Sequence, residues 1–87
     1  MAIKFTLDAR EMAPPEPFDK ATAILRGLER GQYLRMLHRR VPYPLFDFCR
    51  ALSLDYSVIE SAAGDFVIFV YHADDATGLR EEGVLCE

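Results

Sequence analysis

The run Phe66-Val67-Ile68-Phe69-Val70-Tyr71 constrains this chain most: it is apolar throughout, rich in strand formers, and bounded by Asp65 and His72. Successive side chains of a strand point to opposite faces. Phe66, Ile68 and Val70 therefore share one face, and Val67, Phe69 and Tyr71 share the other. A strand that is apolar on both faces belongs in the interior of a sheet. The fold must therefore supply neighbouring strands on either side and cover for both faces.

The remaining sequence supplies those pieces. Ile3, Phe5 and Leu7 alternate with Lys4, Thr6 and Asp8, the period of a strand with one buried face. After a proline-rich break the period changes from Phe18 onward. Ala21, Ile24, Leu25 and Leu28 follow the i, i+3, i+4, i+7 spacing of one helical face, with Gly27 weakening the helix and Gly31 ending it. Tyr33 to Arg39 reads as a second strand, with Leu34 and Met36 on one side and Tyr33, Arg35 and Leu37 on the other. The turn Val41-Pro42-Tyr43-Pro44 then opens a second helix carrying Leu45, Phe48, Cys49 and Leu52 at the same helical spacing. Tyr56 to Ser61 is a third strand, joined through Ala62-Ala63-Gly64-Asp65 to the fourth as a hairpin.

The resulting order is β-α-β-α-β-β. Right-handed crossovers place both helices on one side of the sheet, which predicts an α/β two-layer sandwich with a four-stranded mixed sheet. Such a fold leaves Tyr33, Leu37, Val67, Phe69 and Tyr71 as an apolar patch on the helix-free face. A protein partner, a second copy in a homodimer, or the tail must cover it. Residues 1–72 read as the domain, and residues 73–87 as a polar, acidic tail that is mobile at its end.

Charge and composition narrow the function classes. With 87 residues the chain is one domain, and its 51% hydrophobic content suits a packed globule. The net charge of -4 arises wholly from the tail, where Asp74, Asp75, Glu81, Glu82 and Glu87 face only Arg80. A charge-balanced body lacks the cation surplus that nucleic-acid binding requires. No apolar run reaches membrane-spanning length, and the opening Met-Ala-Ile-Lys-Phe-Thr-Leu-Asp lacks signal-peptide layout, so a cytoplasmic protein is expected. Cys49 and Cys86 read as reduced thiols without a CxxC pair. Cys49 falls on a buried helical stripe, whereas Cys86 sits among acids that disfavour its thiolate.

The two proline turns both follow strands and precede helices, so they meet at the carboxyl ends of strands one and two, where open α/β sheets place ligands. The predicted ligand or partner rim comprises Asp8, Arg10, Pro14, Pro15, Glu16 and Pro17 from the first connection. His38, Arg39, Arg40, Pro42 and Pro44 come from the second. N–H groups and the dipole at a helix start favour an anion. Each of these residues also has a purely architectural reading. The prolines stiffen turns, Glu16 complements a dipole, Asp8 and Arg10 pair with each other, and Arg39 and Arg40 are solvated. His38 reads as a partly buried, hydrogen-bonded ring. His72 ends strand four without a metal-ligand partner at a useful spacing, and no metal site is predicted. Nucleophile-elbow, Walker and dinucleotide-binding motifs are all absent.

The stretch Leu7-Asp8-Ala9-Arg10-Glu11-Met12-Ala13-Pro14-Pro15-Glu16-Pro17 resembles the opening of the TusA/SirA-like sulfur carriers, in which a strand ending in Leu-Asp leads to Cys-Pro-x-Pro at a helix start. In register, Pro15 and Pro17 match the two family prolines, and Pro14 stands at the cysteine position. The chain is more similar still to a cysteine-less domain family of unknown function within that superfamily. It shares that family's Leu-Asp-x-Arg…Pro-Pro-Glu-Pro opening and its later x-Pro-x-Pro-Leu turn, here Val41-Pro42-Tyr43-Pro44-Leu45. The resemblance implies a bacterial origin and a setting near redox and nitrogen-oxide proteins, including hemerythrin-like ones. It implies no catalytic residue, because persulfide relay needs a thiolate that proline cannot provide.

The expectation is a non-catalytic binding or adaptor module, without a cofactor, that engages a protein partner or a small anionic ligand through the proline rim. The alternatives are a sulfur carrier using Cys86, and a redox-cofactor or metal binder using His38 or His72.

Overall fold

A computed structural model describes residues 2–85. Its elements are β1 (Ile3–Asp8), α1 (Glu16–Arg26), β2 (Gln32–His38), α2 (Tyr43–Ala51), β3 (Leu54–Glu60), β4 (Phe66–His72), a single 3-10 turn (Ala73–Asp75) and α3 (Ala76–Glu81). The sheet order is β1-β2-β4-β3. β1 runs parallel to β2, and β4 is antiparallel to both of its neighbours. The strand that is apolar on both faces is therefore interior, as its sequence requires. The hairpin closes through Ser61 N–H to Asp65 C=O at 2.8 Å and Gly64 N–H to Ser61 C=O at 3.0 Å. Gly64 sits at φ +87°, a conformation that a side chain would disfavour.

Two cores form, one on each side of the sheet. On the helical side, Leu7, Leu34, Met36, Ile68 and Val70 meet Ala21 and Leu25 of α1 and Leu45, Phe46 and Cys49 of α2. Phe46 lies parallel to Tyr56 of β3, with interplanar angle 3° and ring centroids 4.0 Å apart. The one buried polar side chain among the described residues, Thr22, donates its hydroxyl to Asp19 C=O at 3.1 Å. Burial pushes the Cys49 thiol up to about 11, which makes it an inert core residue.

Of the three covers expected for the second face, the structure shows the tail, and it is folded there rather than an irregular extension. Residues 73–81 continue as the 3-10 turn and α3, and Leu79, Ala76, Val84 and Leu85 pack over Tyr33, Val67, Phe69 and Tyr71. The chain itself covers the patch. The signal was present in the sequence as the spaced apolar residues Ala76, Leu79 and Val84, but surrounding acids diluted it. Polar contacts fasten this segment: Gly31 N–H donates to the Asp75 carboxylate at 2.8 Å, and Arg30 pairs with Asp74 at 2.8 Å.

Three local expectations also change. α1 stops at Arg26 with Gly27 as its cap, and Gly31 (φ +82°) instead turns the chain into β2. Leu7 is buried, but Ile3 is 57% exposed, because β1 is an edge strand while α1 packs mainly on α2 and β2. Leu52 lies beyond the end of α2 and is exposed, while Phe46 takes the buried place.

Candidate functional site

The parallel pairing of β1 and β2 brings Asp8 and Leu37 into register, so the connections that follow both strands leave the same end of the sheet. Pro14, Pro15, Pro17 and Phe18 from the first connection and α1 face Val41, Pro42, Pro44 and Leu45 from the second connection and α2. Met36 and His38 of β2, with Arg40 just beyond, complete an open cavity of about 430 Å³. The Pro14–Pro15 peptide bond is cis. The walls are almost wholly apolar, because pyrrolidine rings replace the polar backbone that a loop usually presents.

Proline also changes what the two helix starts offer. In the first turn of α1, Glu16 N–H donates to Ala13 C=O at 2.9 Å, Pro17 has no N–H, and Asp19 N–H donates to Pro15 C=O at 3.0 Å. At the start of α2, Tyr43 N–H is held by Val41 C=O at 3.0 Å, Pro44 has none, and Leu45 N–H is held by Pro42 C=O at 3.0 Å. An anion site at a helix terminus needs free N–H groups. Here most are consumed by local turns or missing, so the helix starts act as apolar walls.

The charged residues expected on the rim sort themselves by pairing. Asp8 and Arg10 form a bidentate pair, with Nε to Oδ1 at 2.9 Å and Nη2 to Oδ2 at 2.8 Å, and Arg10 also lies 3.7 Å from Asp65. Arg39 bonds Glu11 at 2.9 Å, tying the second connection to the first, and Glu16 lies 3.9 Å from Lys20. None of Asp8, Arg10, Glu16 and Arg39 lines the cavity. Pro14, Pro15, Pro17, His38, Arg40, Pro42 and Pro44 do. Phe18, Met36, Val41 and Leu45 were not expected there. Met36 and Leu45 belong to apolar faces in the sequence pattern, Phe18 and Val41 to a helix start and a turn, and only the tertiary arrangement reveals that all four border a cavity.

Two polar groups therefore remain at the cavity. Arg40 N–H donates to His38 Nδ1 at 3.0 Å, which places the proton of the neutral ring on Nε2. Burial, aided by the Arg40 charge, lowers the His38 pKa below its ordinary 6.5. Neither His38 Nε2 nor the Arg40 guanidinium has a partner among the described residues. His72 lies at the opposite end of the sheet, where its Nε2 meets Leu28 C=O at 2.8 Å. Among the described residues no group of three His, Cys, Asp or Glu side chains converges as a metal-ligand set. Cys86 lies outside the described residues.

The Asp8–Arg10 pair has a measurable signature. Hydrogen bonds from the Arg10 side chain and backbone hold the Asp8 carboxyl down to about 2, against an ordinary 3.8. Because the folded value is depressed, the contribution of this pair to stability is present above pH 3.8 and fades as pH falls toward 2. A carboxyl-carbon NMR titration is expected to show the low midpoint in the wild type and a return toward 3.8 in Arg10→Ala. An unchanged midpoint in the variant would remove Arg10 as its cause.

Both proline turns fall within residues 6–72, which match the model of a family described as an uncharacterized conserved protein (DUF2249). The chain belongs to this family. Its match ends at His72, so α3 lies beyond the matched span, while Tyr33, Val67, Phe69 and Tyr71, which it covers, lie within it. No curated protein and no solved structure matches the chain. No helix among the described residues is long and apolar enough to cross a membrane.

Proposed function

We propose that this DUF2249 protein is a non-catalytic binding module whose ligand seat is the proline-walled cavity. The observation that carries this reading is the convergence of two separate proline turns on one apolar cavity of about 430 Å³. That size falls in the range of small-molecule sites, which are mostly apolar with a few placed polar groups. Rigid rings on both walls keep the seat open at little ordering cost when a ligand enters. Among the described residues no lining side chain is a thiol, hydroxyl or carboxylate, which supports binding rather than covalent chemistry.

The TusA/SirA-like relationship is part of the proposal. The register of Pro15 and Pro17 and the β-α-β-α-β-β order support it, with Pro14 in place of the sulfur-bearing cysteine. On that relationship rests the further proposal of a bacterial, cytoplasmic adaptor serving redox or nitrogen-oxide metabolism.

The test uses a neutral apolar probe, 3-phenylpropanamide, titrated into ¹⁵N-labelled protein. Saturable shifts are expected at the amides of Phe18, Val41 and Leu45, with affinity on the order of millimolar for a ligand this small. Val41→Trp, which fills the cavity from a half-buried position, is expected to abolish the shifts while the far-ultraviolet circular dichroism stays native. Shifts elsewhere, or shifts that survive Val41→Trp, would overturn the assignment of the seat.

A further inference from the structure

The side-chain hydrogen-bonding capacity left in the cavity is one-sided. The walls contributed by Pro14, Pro15, Pro17, Pro42, Pro44 and Phe18 carry no side-chain donor or acceptor. The imidazole acceptor, His38 Nδ1, is already occupied by Arg40 N–H at 3.0 Å. What remains among the side chains is a pair of donors, the His38 Nε2–H at the end of β2 and the guanidinium of Arg40 two residues on, both from residues that line the cavity. Among the described residues no fully buried side-chain polar atom lacks a partner, so the unpartnered His38 Nε2 is accessible rather than sealed in the core.

The other cations of this rim do not compete for the same role. Arg10 is committed to Asp8 and Arg39 to Glu11. Arg40 has no carboxylate partner among the described residues. The helix starts offer little in its place and no full charge, because most of their N–H groups are spent in turns or replaced by proline. A ligand with donors or a positive charge would meet no acceptor side chain and one unpaired cation. An anion with an apolar body is complementary to both parts of the seat.

We propose, resting on the binding-module reading above, that the ligand is a small apolar monocarboxylate. Its hydrocarbon or aromatic body lies against the proline, Phe18 and Val41 walls. Its carboxylate accepts hydrogen bonds from His38 Nε2–H and Arg40. A cavity of about 430 Å³ accommodates a body on the order of ten non-hydrogen atoms. His38 serves as a neutral donor, a state that its burial and the nearby Arg40 charge both favour.

The experiment compares 3-phenylpropionate with 3-phenylpropanamide, which have the same shape and differ in charge, on the full chain at pH 7 and low salt. The carboxylate is expected to bind about tenfold tighter, the scale of a charge-assisted hydrogen bond. This preference is expected to fall with added salt. In Arg40→Ala the carboxylate-to-amide affinity ratio is expected to drop close to one, and Arg40→Lys to restore part of it. In His38→Phe, which keeps an aromatic ring but removes the Nε2–H donor together with the Nδ1 acceptor of Arg40 N–H, the ratio is expected to fall by a smaller factor. Equal affinity for the two probes in the wild type, or a ratio unmoved by Arg40→Ala, overturns the carboxylate assignment while leaving the apolar seat standing. Failure of both probes to bind overturns the seat as well.

Discussion

Truncating Phe46 to alanine is expected to destabilise the protein by about 3–5 kcal/mol, the usual cost of emptying a buried aromatic site. Phe46 is 5% exposed and lies parallel to Tyr56, so its removal loses both buried area and a ring-on-ring contact. The same side chain holds α2 against β3, and α2 begins with Tyr43 and Pro44, next to the cavity. The stability loss should therefore come with a local one: amide resonances of Val41 and Leu45 are expected to shift or broaden more than those of β1. Urea unfolding supplies the first quantity and a nitrogen–proton correlation spectrum the second. A loss below about 1 kcal/mol would mean that the Phe46–Tyr56 stack is not a packed core contact.

Leu79→Ala is expected to cost about 2–5 kcal/mol, although it lies outside the span matched by the family model. α3 has only six residues, far too few to be stable as an isolated helix. Its existence depends on docking, and Leu79, 2% exposed against Tyr33, Val67, Phe69 and Tyr71, is its deepest contact. Glu82→Ala, on the exposed side of the same segment, is expected to stay within about 0.5 kcal/mol of wild type. If the two variants had equal midpoints in urea, α3 would not be the cover of the second face. A large loss at Leu79 alone would establish that residues beyond His72 belong to the folded unit.

The two faces of the sheet show why some of this was legible and some was not. The period-two patterns of Tyr33–Leu37 and Phe66–Tyr71 assign each side chain to a face correctly, because strand geometry is local. The need to cover the second face follows from the same local fact. The identity of the cover does not. A short helix with Asp74, Asp75, Glu81 and Glu82 around it has no strong period of its own, and it is stabilised by partners far away in sequence. Gly31 turns the chain into β2 rather than ending α1, and its amide is satisfied by Asp75, a contact that no local pattern announces.

The site divides in the same way. Proline turns after two strands of a βαβ unit must lie at one sheet end, so the place was readable, and Pro14, Pro15, Pro17, His38, Arg40, Pro42 and Pro44 do meet there. Which charges stay available was not readable, because ion pairing depends on distances across the fold. Arg39 and Arg40 are neighbours in sequence, yet only Arg39 lies within reach of Glu11. The sequence by itself determined the order of elements, the interior strand and the end of the sheet where the prolines gather, since these follow from side-chain period and chain connectivity. Only the tertiary structure decided that those prolines enclose an apolar cavity and spend the helix-start N–H groups. It alone leaves His38 and Arg40 as that cavity's free side-chain donors among the described residues, because these properties depend on where distant backbone and side-chain groups come to rest.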